Sequence, residues 1–287
     1  MAILFDGRFS VDGFLPYGTA YVDTMELCAN GTILRTAIGG NAVTNAGIPG
    51  YIDLVSDPAG TGETVMRARV TRSDANTYGA PRTEIGLNTE ALPFPTERWY
   101  SWSMYLPADW AINTTEETLW QVHNYPDTSP AESTYAIPPT MECLTTTDGR
   151  LKFRNAYDAN ATTTNGSNTV RDLFYTTLDR GQWTDWVLHV VWSATAGTGS
   201  IQFFKNRRLI YSESDHINTY NDATARGGLG PYMRMGTYYW SAQAGGTIEE
   251  RIAYYKGFRV GDDTSSFAEV TGTTQLETVS AVNAALL

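Results

Sequence analysis

"TMECLTTTDGRLKFRNA", residues 140–156, reads as two strands joined by a tight turn. Asp148-Gly149 supplies the turn, since this dipeptide accepts the left-handed backbone that a short hairpin requires. In the second arm Lys152 and Arg154 share one parity and Leu151 and Phe153 the other, the period-two pattern of a strand. Further strand-like runs are "ETVMRARVT" (63–71), "RWYSWSMYLP" (98–107), "TLWQVHNY" (118–125), "WTDWVLHVVWS" (183–193), "GSIQFFKNRRLIYSE" (199–213), "PYMRMGTYYW" (231–240) and "ERIAYYKGFRVG" (250–261). "SATAGTGSI" (193–201) is a second hairpin connection. A dozen or more strands fit this length, so the reading is all-β: a two-sheet jelly-roll sandwich with a concave groove, larger than an immunoglobulin domain. No linker, composition shift or fixed-period repeat divides residues 1–287, and one domain is expected.

Composition limits function. The 287 residues carry a formal charge of −11, which argues against general nucleic-acid binding, although Arg and Lys gathered in a cleft can still hold a polyanion. No apolar run approaches the ~20 residues needed to span a bilayer, so a soluble protein without a membrane partner is expected. "AILFDGRF" after Met1 lacks the features of a secretion signal. Cys28 and Cys143 match no metal spacing and leave a bridge and two buried thiols equally open. "DANATTTNGSNT" (158–169) is expected to be a surface loop, and the tail 271–287 is compatible with a short helix.

Alternation also gathers chemistry. In "QVH", Gln121 and His123 project together while Trp120 and Val122 point the other way, into the core, which puts the polar pair on an exposed face. In "APRTEIGLN" (80–88), Arg82 and Glu84 share a side. Tyr232, Arg234 and Tyr238 share a parity opposite to Met233, Met235 and Tyr239. If these strands are neighbours, they line a groove able to bind a carboxylate, remove a weakly acidic carbon-bound proton and return a proton to a leaving oxygen. Taken singly each residue has a plainer reading: Arg82 and Glu84 as a same-face ion pair, Tyr238 as packing, His123 as an ordinary strand histidine. His189 reads as an outward strand residue, His216 as a loop residue, and Trp183, Trp186 and Trp192 as sheet supports.

"RTEIG", "QVH" and "YMRMGTYYW" resemble, in order and spacing, the three motifs of jelly-roll polysaccharide lyases, the group of alginate, glucuronan and heparin-lyase-like enzymes. The flanking "LFDGRF", "DPAGTGETVMRARV", "ERWYSWSMYLPADW", "GQWTDWVLHVVWS" and "YYKGFRVG" are similar to the heparin-lyase-like branch, so the resemblance covers nearly the whole chain. It implies β-elimination of a uronic-acid polysaccharide, giving 4,5-unsaturated ends. Arg82, Gln121 and His123 would meet the uronate carboxylate, and Tyr238 would protonate the leaving oxygen. Either Tyr238 or His123 would take the C5 proton, and nearby Arg82 and Arg234 would favour a Tyr238 phenolate. Glu84 would orient Arg82, while Tyr232, Arg234, Lys152 and Arg154 would bind further along the anionic polymer. Gly86 and Arg234 depart from the family pattern, which has Arg and Lys there. No cofactor is needed for this chemistry. Related lyases often carry a structural calcium, for which Asp6, Asp262 and Asp263 would be the oxygen donors, but no calcium-loop pattern is present and no metal is assigned. A monomer is expected, acting outside the cell or as part of a virion. The rival readings are a noncatalytic glycan-binding module, such as an adhesin or a viral or phage attachment protein, and a glycoside hydrolase, which would need two close carboxylates.

Overall fold

The computed structural model describes residues 3–7, 17–18, 22–37, 47–89, 94–125, 132, 137–164, 166–222, 231–240 and 245–272. Seventeen strands among them form two antiparallel sheets. The first sheet runs β15 (Arg208–His216), β14 (Gly199–Lys205), β13 (Trp183–Trp192), β8 (Thr96–Tyr105), β17 (Glu250–Gly261), β1 (Ile3–Gly7) and β2 (Tyr17–Gly18). β6 (Thr64–Thr71) also pairs with β17 and carries β5 (Ile52–Ser56). The second sheet runs β12 (Thr169–Thr177), β11 (Arg150–Tyr157), β10 (Met141–Thr145), β9 (Glu117–His123), β16 (Tyr232–Tyr238), β7 (Arg82–Thr89), β3 (Val22–Ala29) and β4 (Thr32–Ala37).

The two sheets face each other across an aromatic core. Trp102 on β8 stacks on Trp120 on β9 with ring centroids 4.6 Å apart, tying one sheet to the other. Trp186, Phe153 and Phe203 close around them. Burying side chains of this size stabilises by roughly 1.5–3 kcal/mol each, enough to fix which face of every strand points inward. The β10–β11 hairpin turns at Gly149 in the left-handed region (φ 83°), as Asp148-Gly149 predicts.

Some local expectations differ. "GSIQFFKNRRLIYSE" is two strands, because Asn206 and Arg207 both adopt positive φ and reverse the chain. His216 ends β15 and is not in a loop. Asp158 and Thr163, within the expected surface loop, are buried. Cys28 and Cys143 are two buried free thiols. A short helix, α1 (Phe267–Thr271), forms with a Ser266–Glu269 capping box, whereas residues 273–287 lie outside the described residues. No helix among the described residues is long and apolar enough to cross a membrane.

Candidate active site

β16 lies between β7 and β9, which brings the three sequence motifs onto adjacent strands. Register pairs Tyr232 with His123, Arg234 with both Gln121 and Gly86, and Tyr238 with both Thr118 and Arg82. The partners Met233, Met235 and Tyr239 turn into the core, as alternation requires. A register shift between Met235 and Tyr238 puts Thr118 on the same face as Gln121, although their sequence parity differs. Gly236 stands at this irregularity with φ 146°, and a Cβ there would lie 2.0 Å from the Thr83 carbonyl oxygen. Only glycine therefore lets β7 and β16 pair closely enough for Glu84 and Gln121 to meet across the intervening strand.

A linked polar network results. Gln121 Nε2 donates to Glu84 Oε1 at 2.6 Å, and Arg82 donates to Glu84 Oε2 at 3.1 Å and to the Tyr78 carbonyl at 2.9 Å. Glu84 thus bridges Arg82 and Gln121. The Arg82 guanidinium lies 3.6 Å from the centroid of the Tyr238 ring. Arg234 pairs with Glu26 at 2.7 Å, and Glu26 accepts from the Tyr78 hydroxyl. The Arg234 guanidinium runs over Gly86, where a Cβ would touch it at 3.5 Å. The two departures from the family pattern are therefore cross-strand neighbours. Lys152 pairs with Glu116 at 2.5 Å, and Arg154 with Glu142 at 2.6 Å.

Two expectations need correction. Gln121 is only 1% exposed and spends its amide on Glu84, so the polar pair is not simply a surface pair; the part-exposed member is His123. Tyr238 is not drawn toward phenolate. Burial raises its pKa, Arg82 opposes this, and Glu84 and Glu142 add to the rise, so the phenol keeps its proton.

His123 behaves oppositely. Burial first, then Arg234 and Arg82, lower its pKa from 6.5 to about 4 against the contact with the Asn124 carbonyl and the Glu84 charge. Its Nδ1 stands 2.8 Å from that carbonyl, which can only accept, so Nδ1 carries the proton and Nε2 a lone pair. As pH falls from about 6.5 toward 4, the unfolded chain binds a proton that the native ring refuses. Stability is therefore expected to decline through this window by up to about 3 kcal/mol. Urea midpoints of wild type and His123→Gln test this: the variant should lose that part of the pH slope, and an unchanged slope would remove His123 as its origin.

Sequence reasoning passed over Glu26, Tyr78, Thr118 and Glu142. Glu142, 3% exposed, accepts from Thr118 at 2.5 Å, and burial raises its pKa despite Arg154. The available signal was a lone acid in an apolar strand, in "MECLT" and again in "MELCA". Cys28 faces this network with its pKa pushed up to about 12 by burial, which makes it an inert thiol. His189 lies on the other sheet, stacked on Trp99 at 3.8 Å and bonded to Glu97 and Gln202. Asp6 accepts from Arg259, and Asp262 caps a turn through Thr264. Among the described residues no group of three or more His, Cys, Asp or Glu side chains is arranged to hold a metal.

The two antiparallel sheets form a jelly-roll sandwich that gathers the three motifs on β7, β9 and β16. Residues 31–259 match the polysaccharide lyase family, and the chain belongs to it. Among solved structures it is similar to an endo-β-1,4-glucuronan lyase from the fungus Trichoderma reesei, with 16% identity and a TM-score of 0.64 over 80% of this chain and 97% of that one. A family 7 alginate lyase A1-II', with a histidine and a tyrosine replaced and substrate bound, aligns at 15% identity and TM-score 0.56 over 91% and 98% of the two chains. A GH131 β-glucanase catalytic domain from Podospora anserina aligns at 15% identity and TM-score 0.50 over 95% and 100%. At such identities the likeness is one of fold, and a lyase and a glucanase share it. No curated protein matches the chain in sequence.

Proposed function

We propose that this protein is a polysaccharide lyase that cleaves a uronic-acid-containing polymer by β-elimination. The observation that carries the reading is that β7, β9 and β16 bring His123, the Gln121–Glu84–Arg82 network and Tyr238, whose ring lies 3.6 Å from the Arg82 guanidinium, onto one face of the sheet. The uronate carboxylate sits over Gln121, where N–H groups of the Arg82 guanidinium donate to the enolate that forms when C5 loses its proton. His123 Nε2 takes that proton, and the anion bound beside it draws the imidazole pKa back up from its value in the free protein. The electron pair becomes the C4–C5 double bond as the C4–O4 bond breaks, and Tyr238 Oη protonates the departing oxygen. Water then restores both side chains. Family membership supports the reading, as does the alginate lyase solved with substrate after a histidine and a tyrosine were replaced.

The test is a panel of glucuronan, polymannuronate, polyguluronate, hyaluronan and heparin, followed by ultraviolet absorbance of the unsaturated product. A rise abolished by Tyr238→Phe supports elimination. New reducing ends without that absorbance would mean hydrolysis, and binding without any cleavage would mean a glycan-binding module. If His123 is the base, kcat/KM should fall only near pH 4 on the acid side, and kcat at a higher pH.

A further inference from the structure

Every cation described on the site face already has an acid partner. Arg82 pairs with Glu84, Arg234 with Glu26, Lys152 with Glu116 and Arg154 with Glu142, at 2.5 to 3.1 Å. Asp172, 3.9 Å from Lys152, adds a further carboxylate. Paired charges present little net field to a bound polymer, and a protein of charge −11 adds none of the opposite sign. A chain with a carboxylate on every sugar would set charges against both flanks of Gln121 where no described cation is left over. The flank on β7, β16 and β3 has a different chemistry. Tyr78, 45% exposed, holds a left-handed backbone (φ 50°) and places its ring 5.6 Å from the Arg82 guanidinium and 5.2 Å from that of Arg234. Its hydroxyl holds Glu26 and its carbonyl takes Arg82, so the ring is fixed as an exposed platform over charge-balanced ground. Apolar sugar faces stack on such rings, and an unfavourable backbone held by several contacts is a mark of a functional position.

Resting on the lyase reading above, we propose that the substrate is a heteropolymer in which each uronate is flanked by uncharged sugars, the uronate lying at Gln121 and a neutral neighbour on Tyr78. The Arg234–Glu26 pair over Gly86 makes that neighbouring subsite neutral, and so excludes homopolyuronates.

Binding is measured with the Tyr238→Phe variant, which blocks turnover, against unsulfated alternating polymers (hyaluronan, heparosan) and homopolymers (glucuronan, polymannuronate, polyguluronate). At least one alternating polymer is expected to bind about tenfold more tightly than every homopolymer. A homopolymer bound equally well, or no alternating polymer bound, overturns the proposal. Glu26→Gln, which releases Arg234, should narrow the preference about fivefold, and Tyr78→Ala should weaken the alternating polymer alone. Should Glu26→Gln fail to fold, Glu116→Gln performs the same release at Lys152 on the other flank; a preference unmoved by the release overturns the proposal. The two readings separate cleanly. Alternating-polymer binding without unsaturated product from wild type sinks the lyase reading alone, and unsaturated product from a homopolymer sinks this inference alone.

Discussion

Tyr238→Phe should lower kcat by about 10³-fold, within the ~10²–10⁴ range for losing a positioned proton donor, while KM changes less than about threefold. The expected cost at the transition state is about 4 kcal/mol. Phenylalanine keeps the ring on which the Arg82 guanidinium rests at 3.6 Å, so Arg82, Glu84 and Gln121 should stay in place. What disappears is the hydroxyl, whose proton burial holds in place at neutral pH. Steady-state kinetics of product absorbance decides the matter. A variant retaining more than about a tenth of wild-type kcat would show that the proton reaching the leaving oxygen comes from elsewhere.

The largest effect on stability is expected close to Tyr238, at Glu117, which precedes Thr118, the β9 partner of Tyr238. Arg251 on β17 and Glu117 on β9, 2% and 0% exposed, form an ion pair at 2.7 Å between the two sheets. Arg251 also donates to the Ala111 carbonyl and lies over Trp110. Asn113 donates to Glu117 and to the Tyr239 hydroxyl, which in turn donates to the Ile248 carbonyl. Removing one partner strands a charge away from water, so Glu117→Ala should cost about 3–5 kcal/mol in urea unfolding. The double variant Glu117→Leu/Arg251→Met should recover most of that, since two apolar groups leave no charge unpaired. A single-variant loss under about 1 kcal/mol would mean that water reaches the pair. Because the network fixes Tyr239, the neighbour of Tyr238, folded Glu117→Ala should also lose kcat.

Much of the site was legible in local pattern. The shared parity of Gln121 with His123, of Arg82 with Glu84, and of Tyr232, Arg234 and Tyr238 is a property of any extended chain, and the structure keeps each group on one face. The motif resemblance pointed to the same strands. Parity failed at Thr118, where the irregularity opposite Gly236 moves one residue to the other face, and at "KNRRL", where a turn hides in a polar run.

The amino-acid sequence by itself determined the strand pattern, the Asp148-Gly149 turn and which side chains travel together, because period and turn chemistry act over a few residues. Only the tertiary structure decided that β16 lies between β7 and β9, that Arg234 rests on Gly86 and pairs with Glu26, 208 positions away in the chain, and that Glu142 joins the site. It also decided the proton states: burial outweighs Arg82 to keep Tyr238 a phenol, and burial together with Arg234 and Arg82 keeps His123 neutral. Burial of that kind is set by the packing of two whole sheets, and no local stretch of sequence encodes it.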